Sequence, residues 1–175
     1  MASIVLIGFM GSGKTVVGQE IARRLGWPFV DTDAMVEAAA GMRVAEIFAR
    51  FGEPRFRALE RDAIVSVSTS GTAEDAVVAT GGGAMLDPEN RRRLKEIGPI
   101  VWLDADVESI MARVGSDTTR PLLRGADVGA RVRALLLERE SAYATADHRV
   151  DTSGRSVAAV ADAVLTTISP AGACG

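Results

Sequence analysis

The stretch Gly8-Phe9-Met10-Gly11-Ser12-Gly13-Lys14-Thr15 decides the fold. It fits the pattern G-x-x-x-x-G-K-[ST], in which glycines let backbone N–H groups close around an anion. Ala2-Ser3-Ile4-Val5-Leu6-Ile7 before it reads as a buried strand. Val17, Ile21 and Leu25 after it, with small Gly18 and Ala22 between, make one apolar stripe on a helix. Strand, glycine loop and helix therefore follow in the order a phosphate site needs. The helix N-terminus adds partial positive charge, Lys14 can reach outer phosphates, and the Thr15 hydroxyl can ligate Mg2+. In an ordinary glycine turn, lysine and threonine would have no packing reason to follow Gly13.

Working outward, Phe29-Val30-Asp31 is a short strand ending in carboxylates, and Asp31-Thr32-Asp33 opens a helical stretch through Met35 and Val36. Gly41 interrupts it before Val44, Ile47, Phe48 and Phe51 resume a helical period, and a further helix starts near Pro54 and loosens from Ser68 to Thr72. Ala76-Val77-Val78-Ala79-Thr80 and Pro99-Ile100-Val101-Trp102-Leu103 are further strands, the first stopped by Gly81-Gly82-Gly83. Asp87-Pro88-Glu89 signals a capped helix start, and Val107, Ile110, Met111 and Val114 mark another helix. The rhythm breaks between Gly115 and Gly129, a surface loop carrying Arg120 and Arg124. It resumes with a helix through Val128, Val132, Leu135 and Leu136, a strand at His148-Arg149-Val150-Asp151, and a last helix through Val157, Val160, Ala161 and Val164. Such β-α alternation implies a parallel sheet covered by helices on both faces, with ligands beyond the strands' carboxyl ends. The phosphate loop, Asp31, Asp33 and Gly81 to Gly83 all fall at those ends.

The chain has 175 residues, enough for one domain with a sizeable core. A formal charge of -3 offers no general attraction to nucleic acid or anionic membrane. With no leader pattern and no apolar run of membrane length, the expectation is a cytoplasmic protein. Cys174, the one cysteine, lies in a small-residue tail and reads as a free thiol without function. Arg91-Arg92-Arg93 reads as a solvated helix face, and His148 as surface or structural.

Magnesium usually needs a carboxylate besides the loop threonine, yet the strand ending at Thr80 supplies none. Asp31 is the best replacement, acting through metal-bound water, and Asp33 could then accept a hydrogen bond from a substrate hydroxyl. Helix capping by either aspartate is the competing explanation. Arg57, four residues after Glu53 and three before Glu60, reads on spacing alone as a solvent-facing ion pair. Arg139 continues the phase of Val132 and Leu135, so it points inward and needs an anion; Asp147 or Asp151 could supply it structurally. The loop with Arg120 is either plainly solvated or able to close over phosphates.

These segments together resemble shikimate kinases. The resemblance rests on residues 8–15, then Asp31-Thr32-Asp33, then Phe51-Gly52-Glu53-Pro54-Arg55-Phe56-Arg57-Ala58-Leu59-Glu60 and Ala79-Thr80-Gly81-Gly82-Gly83-Ala84. It continues through Arg120-Pro121-Leu122-Leu123, Arg139-Glu140-Ser141-Ala142-Tyr143 and Ala146-Asp147. It implies an ATP-dependent kinase acting on the 3-hydroxyl of shikimate in aromatic amino-acid biosynthesis. The implied fold is the nucleoside-monophosphate-kinase type of phosphate-loop fold, a five-stranded parallel sheet of order 2-3-1-4-5 with helices on both faces. The implied single domain spans 1–168, with a substrate-binding insertion at about 32–61, a lid at about 115–127 and a flexible tail at 169–175.

By the same resemblance, Asp33, Phe56, Arg57, Glu60, Gly81, Gly82, Gly83 and Arg139 form the shikimate pocket, with Arg57 and Arg139 clamping its carboxylate. Gly11, Ser12, Gly13, Lys14, Thr15, Val16, Arg113, Arg120 and Arg155 meet ATP, Thr15 and Asp31 serve Mg2+, and Asp33, Lys14 and Arg120 carry the chemistry. The loop Ser153-Gly154-Arg155-Ser156-Val157 lacks a proline that some relatives carry near its end. A monomer acting on a small molecule, without nucleic acid or membrane, completes the expectation. Two rivals are a kinase for another hydroxylated metabolite such as gluconate, and a nucleotide-binding switch. Against the switch, Asn90, the only asparagine, precedes Arg91 rather than opening an N-K-x-D guanine signature.

Overall fold

The structure, a computed structural model, describes residues 3–69, 75–114 and 127–169. Its centre is β1 (Ile4–Ile7), four apolar residues buried on both sides. Side chains alternate along a strand. Val5 and Ile7 accordingly enter the apolar cluster on one sheet face, and Ile4 and Leu6 enter the cluster on the other. Losing one such side chain, as in Leu6→Ala, would cost about 2–5 kcal/mol.

Flanking β1 are β3 (Val77–Ala79) and β4 (Ile100–Asp104), with β2 (Phe29–Asp31) outside β3 and β5 (His148–Asp151) outside β4. All pairings are parallel and the order is 2-3-1-4-5, as expected. Register places Asp31 opposite Ala79, and Ala79 opposite Leu6. The carboxyl ends that carry the glycine loop, the aspartates and the glycine triplet therefore lie side by side.

One face is covered by α1 (Lys14–Leu25) and α7 (Val157–Ile168), whose Val17, Ile21, Val160 and Val164 pack with Ile4 and Leu6. α1 lies close because Gly18 has no side chain: a Cβ there would sit 2.5 Å from the Phe29 ring. Leu25, at the helix end, is exposed rather than part of the buried stripe. The other face holds α4 (Pro88–Ile97), α5 (Val107–Val114) and α6 (Val128–Tyr143).

Between β2 and β3 lies the helical insertion. α2 (Thr32–Ala40) starts under Asp31, whose Oδ1 accepts from the Asp33 and Ala34 amides, and ends at Gly41 with φ 64°. α3 (Val44–Thr69) is broken at Gly52 (φ 79°, ψ 174°), just before Pro54, which matches the expected restart. Val36, Ile47, Phe56 and Ala63 give this insertion its own small core. The expected lid falls almost entirely on residues 115–126 and the tail on 170–175, outside the described residues. Among the described residues no helix is long and apolar enough to cross a membrane.

Candidate active site

The glycine loop is shaped by sterics and held by its neighbours. Gly8, Gly11 and Gly13 have φ of 144°, 77° and 94°, in the region open chiefly to glycine. A Cβ on Gly8 would lie 2.3 Å from the Leu103 carbonyl oxygen, so β4 itself enforces that glycine. Lys14 Nζ donates to the Gly8 and Phe9 carbonyls at 2.8 and 2.9 Å, lying back along the loop. Ser12 Oγ is buried without a partner, and Val16 is half exposed on the first turn of α1.

Asp31 does two things at once. One oxygen caps α2, while Oδ2 accepts from Thr15 Oγ1 at 3.2 Å. Capping and a metal role are thus compatible: two hard oxygen donors meet beside the loop, fitting Mg2+. Among the described residues no cluster of three or more His, Cys, Asp or Glu could hold a metal. Phosphate and water oxygens would have to complete the coordination.

Opposite the loop, Asp33 Oδ1 and Glu60 Oε1 are buried without hydrogen-bond partners. Both converge on Gly81, where a Cβ would lie 2.7 and 2.6 Å from them. Burial pushes the Asp33 carboxyl above its usual range, and the charge of Asp31 adds to the push against Lys14 and Arg57. Burial raises Glu60 as well, opposed by Arg57 and reinforced by Asp33. Thr32 Oγ1, buried at the start of α2, accepts from the Gly81 amide at 3.3 Å and ties the triplet to the insertion.

Arg57 is more than a surface pair. Its Nη1 donates to Glu60 Oε2 at 2.9 Å, and its Nε and Nη2 donate to Glu53 Oε1 at 3.2 and 2.9 Å. Burial disfavours its charge, but the two glutamates outweigh that and hold it above its ordinary value. A Cβ on Gly83 would fall 2.4 Å from Nη2, so the guanidinium lies flat over bare backbone. Phe56, packed at a tilt against Phe48 with ring centres 4.8 Å apart, lies under it, with the Arg57 guanidinium carbon 5.2 Å from the ring centre.

Arg139 is 2% exposed, as its helical phase implied, and stands 5.5 Å from the centre of the Phe9 ring. Its Nε has no hydrogen-bond partner. Neither aspartate offered as its structural anion serves it. Asp147 Oδ2 accepts from the Ile100 amide at 2.8 Å and Asp151 Oδ1 from the Ser153 amide at 2.9 Å, because both finish strand ends. A Cβ on Gly82 would be 3.3 Å from Arg139 Nη1 and 3.4 Å from the Met10 amide nitrogen. The triplet therefore touches the phosphate loop on one side and the guanidinium on the other.

Tyr143 is a residue whose role sequence reading missed. Its hydroxyl donates to the Gly82 carbonyl, its ring packs on Trp102 at 5.6 Å, and burial pushes its phenol up to about 12. Its spacing of four from Arg139 on one helix was the available signal, since residues four apart share a face.

Of the arginines expected to meet ATP, Arg113 joins the phosphate loop to the segment after β5. Its Nη1 donates to Gly11 O and Thr152 Oγ1, both at 3.1 Å, and its Nη2 to Thr152 O at 2.7 Å. Arg155 is exposed and donates to the Asp151 and Ala159 carbonyls at 3.0 and 3.1 Å, beside the same segment. Arg120 lies outside the described residues.

A glycine loop with the G-x-x-x-x-G-K-[ST] pattern, beside two guanidiniums and two buried carboxylates that line a glycine triplet, is the arrangement of a phosphate-loop kinase with a small charged acceptor. Known proteins make this specific. The family model described as shikimate kinase matches residues 10–169. The shikimate kinase of Moorella thermoacetica is 52% identical over 159 residues, covering 91% of this chain and 90% of its own. That of Geobacter metallireducens is 48% identical, over 89% of this chain and 85% of its own. The structure of shikimate kinase from Acinetobacter baumannii in complex with shikimate superposes with a TM-score of 0.90 at 34% identity, covering 96% of this chain and 93% of that one. The chain belongs to the shikimate kinase family. It is a kinase whose reaction is ATP-dependent phosphorylation of shikimate in aromatic biosynthesis.

Proposed function

We propose that transfer to the 3-hydroxyl of shikimate takes place where residues 8–15 face the pocket of Asp33, Arg57, Gly81, Gly82, Gly83 and Arg139. What supports this most is the pairing of inward guanidiniums with buried, unbonded carboxylate oxygens. The guanidiniums suit a ligand carboxylate, and Asp33 Oδ1 and Glu60 Oε1 suit donated hydroxyls. A carboxylated polyol supplies both kinds of group.

In this reading the backbone amides of Gly11, Ser12 and Gly13 cradle phosphate, and Lys14 exchanges its carbonyl partners for phosphate oxygens. Val16, Arg113 and Arg155 border the nucleotide. Arg57 and Arg139 hold the substrate carboxylate, Phe56 and Glu60 shape the wall, and Gly81 to Gly83 let the ring approach bare backbone. Asp33 accepts the hydrogen bond of the attacking hydroxyl and takes its proton late, a role its raised affinity for protons favours. Thr15 and Asp31 would hold Mg2+, which supplies charge neutralisation at the phosphates. Arg120, from a lid at about 115–127, adds a guanidinium to the transferred group. The enzyme would work as a cytoplasmic monomer of one domain, 1–168, with its insertion at about 32–61, independently of nucleic acid and membrane.

A coupled ADP-release assay with shikimate, gluconate and nucleoside monophosphates tests the reading. ADP release should depend on shikimate and be negligible with the others. Release with gluconate and not shikimate would refute it.

A further inference from the structure

All three nitrogens of the Arg57 guanidinium are engaged by carboxylates of its own helix, and the two carboxylates differ in kind. Glu60 is 1% exposed and holds only Nη1. Glu53, whose side chain is 51% exposed, spans the Nε and Nη2 edge with one oxygen. That edge is the one a ligand carboxylate would take with two parallel bonds, because the buried Glu60 keeps Nη1. Glu53 also has another place to rest. It directly follows the break at Gly52, in the first turn of the second half of α3, where helix N–H groups stabilise a carboxylate.

We infer that Glu53 is an internal stand-in for the substrate carboxylate, occupying the outer edge of Arg57 until the ligand displaces it. The inference rests on the reading that Arg57 binds the carboxylate of shikimate. It makes Glu53 a specificity-determining residue. An anionic ligand replaces one charge-assisted pair by another, whereas a neutral polyol has nothing to exchange for the pair and leaves the edge closed. Glu53 is not needed to orient Arg57, since Glu60 fixes one end of the guanidinium and the bare backbone of Gly83 supports its plane. Its contribution is therefore competition. Because the Glu53 side chain is half exposed, the competition is mild.

The test is calorimetric titration of shikimate into the full chain carrying Glu53→Gln, Glu53→Ala or Glu53→Asp. The Gln and Ala variants should bind shikimate about two- to fivefold more tightly, the range an exposed ion pair provides, with ADP affinity as in the parent. Glu53→Asp keeps the charge but draws it back by one methylene from an arginine that Glu60 holds in place, and it should tighten binding too. Unchanged or weaker shikimate binding in the Gln and Ala variants would overturn the inference. Tightening in those two without tightening in Glu53→Asp would also overturn it, leaving only a general charge effect. Arg57→Ala tests the underlying reading separately: undiminished shikimate affinity there removes Arg57 from the substrate site whatever Glu53 does.

Discussion

The two walls of the cleft are made of different material. The phosphate-loop wall is one continuous segment of backbone, shaped by glycines whose left-handed φ values and neighbours allow no side chain. The facing wall is charged side chains and bare glycines from four separate places: Asp33 on α2, Arg57 and Glu60 on α3, residues 81–83 after β3, and Arg139 on α6. On the loop side Lys14 turns back onto loop carbonyls and Ser12 Oγ is the one buried, unbonded side-chain atom among the described residues of the loop, whereas the facing wall has three: Asp33 Oδ1, Glu60 Oε1 and Arg139 Nε. Buried polar atoms without partners cost stability, typically 1–3 kcal/mol each. Hydroxyls and a carboxylate of a substrate, as proposed above, would relieve them. In the proposed function, phosphate recognition therefore belongs to local backbone and acceptor recognition to the fold.

That contrast leads to graded expectations, the largest in turnover. Asp33→Asn keeps the shape of the acceptor wall and removes its proton acceptor, so kcat should fall roughly 10²- to 10⁴-fold. Steady-state kinetics with shikimate checks it, and near-parental turnover would strip Asp33 of a catalytic role. On the other wall, Gly8→Ala should fail in stability, not in chemistry alone. Its Cβ would meet a strand carbonyl at 2.3 Å, for a cost of about 2–4 kcal/mol in urea denaturation. An unaltered midpoint would mean the loop is less rigid than its geometry.

Tyr143→Phe should have a smaller effect, leaving the Gly82 carbonyl without its phenol donor at a cost of about 1–2 kcal/mol. That cost should appear mainly as a raised KM for shikimate. An equal change for ATP would mark Tyr143 as a general core residue. The smallest effect concerns pH. Burial raises Glu60 and Asp33 in the folded chain, so the stabilising contribution of each protonated form is complete below its unfolded pKa and is lost as pH rises through the folded one. The ligand-free protein should therefore lose stability on that account as pH climbs from about 4 towards neutrality. Glu60→Gln should flatten that slope in thermal unfolding, and an identical slope would show that Glu60 does not contribute to it.

The difference between the walls also explains what was readable in the chain. Residues 8–15 are a local pattern, and the strands around them were found within a residue or two: Ile100–Asp104 where 99–103 was expected, Val77–Ala79 where 76–80 was expected. Helix ends were harder. Ser68 and Thr69 read as a loosening of the chain, but both hydroxyls bond the Val65 carbonyl at 2.9 Å and the helix continues through them. Phe51 fits an apolar period yet is exposed, since Gly52 breaks the helix beside it. Of the three arginines expected on a solvated face, only Arg92 is exposed, pairing with Glu89 and Glu96; Arg91 is partly buried and donates to the Met85 carbonyl at 2.7 Å, and Arg93 Nε is buried.

Within the pocket, periodicity identified Arg139 as inward but not its surroundings. Partners distant in sequence, such as Phe9 and Gly82, are set by sheet order. Spacing reduced Arg57 to a surface pair, although Glu60 stands in the apolar phase of Phe56, Ala63 and Val67, a local sign of its burial that the ion-pair reading left unused. The resemblance to a family supplied what spacing could not.

The independence of the walls is tested most directly by a crossed titration. Shikimate and ADP are each titrated into Arg139→Ala and into Lys14→Met. Separate walls predict that Arg139→Ala weakens shikimate by about 2–5 kcal/mol while ADP binds nearly as before, and that Lys14→Met does the reverse. Loss of both ligands together in Arg139→Ala, in a protein that remains folded, would contradict the division.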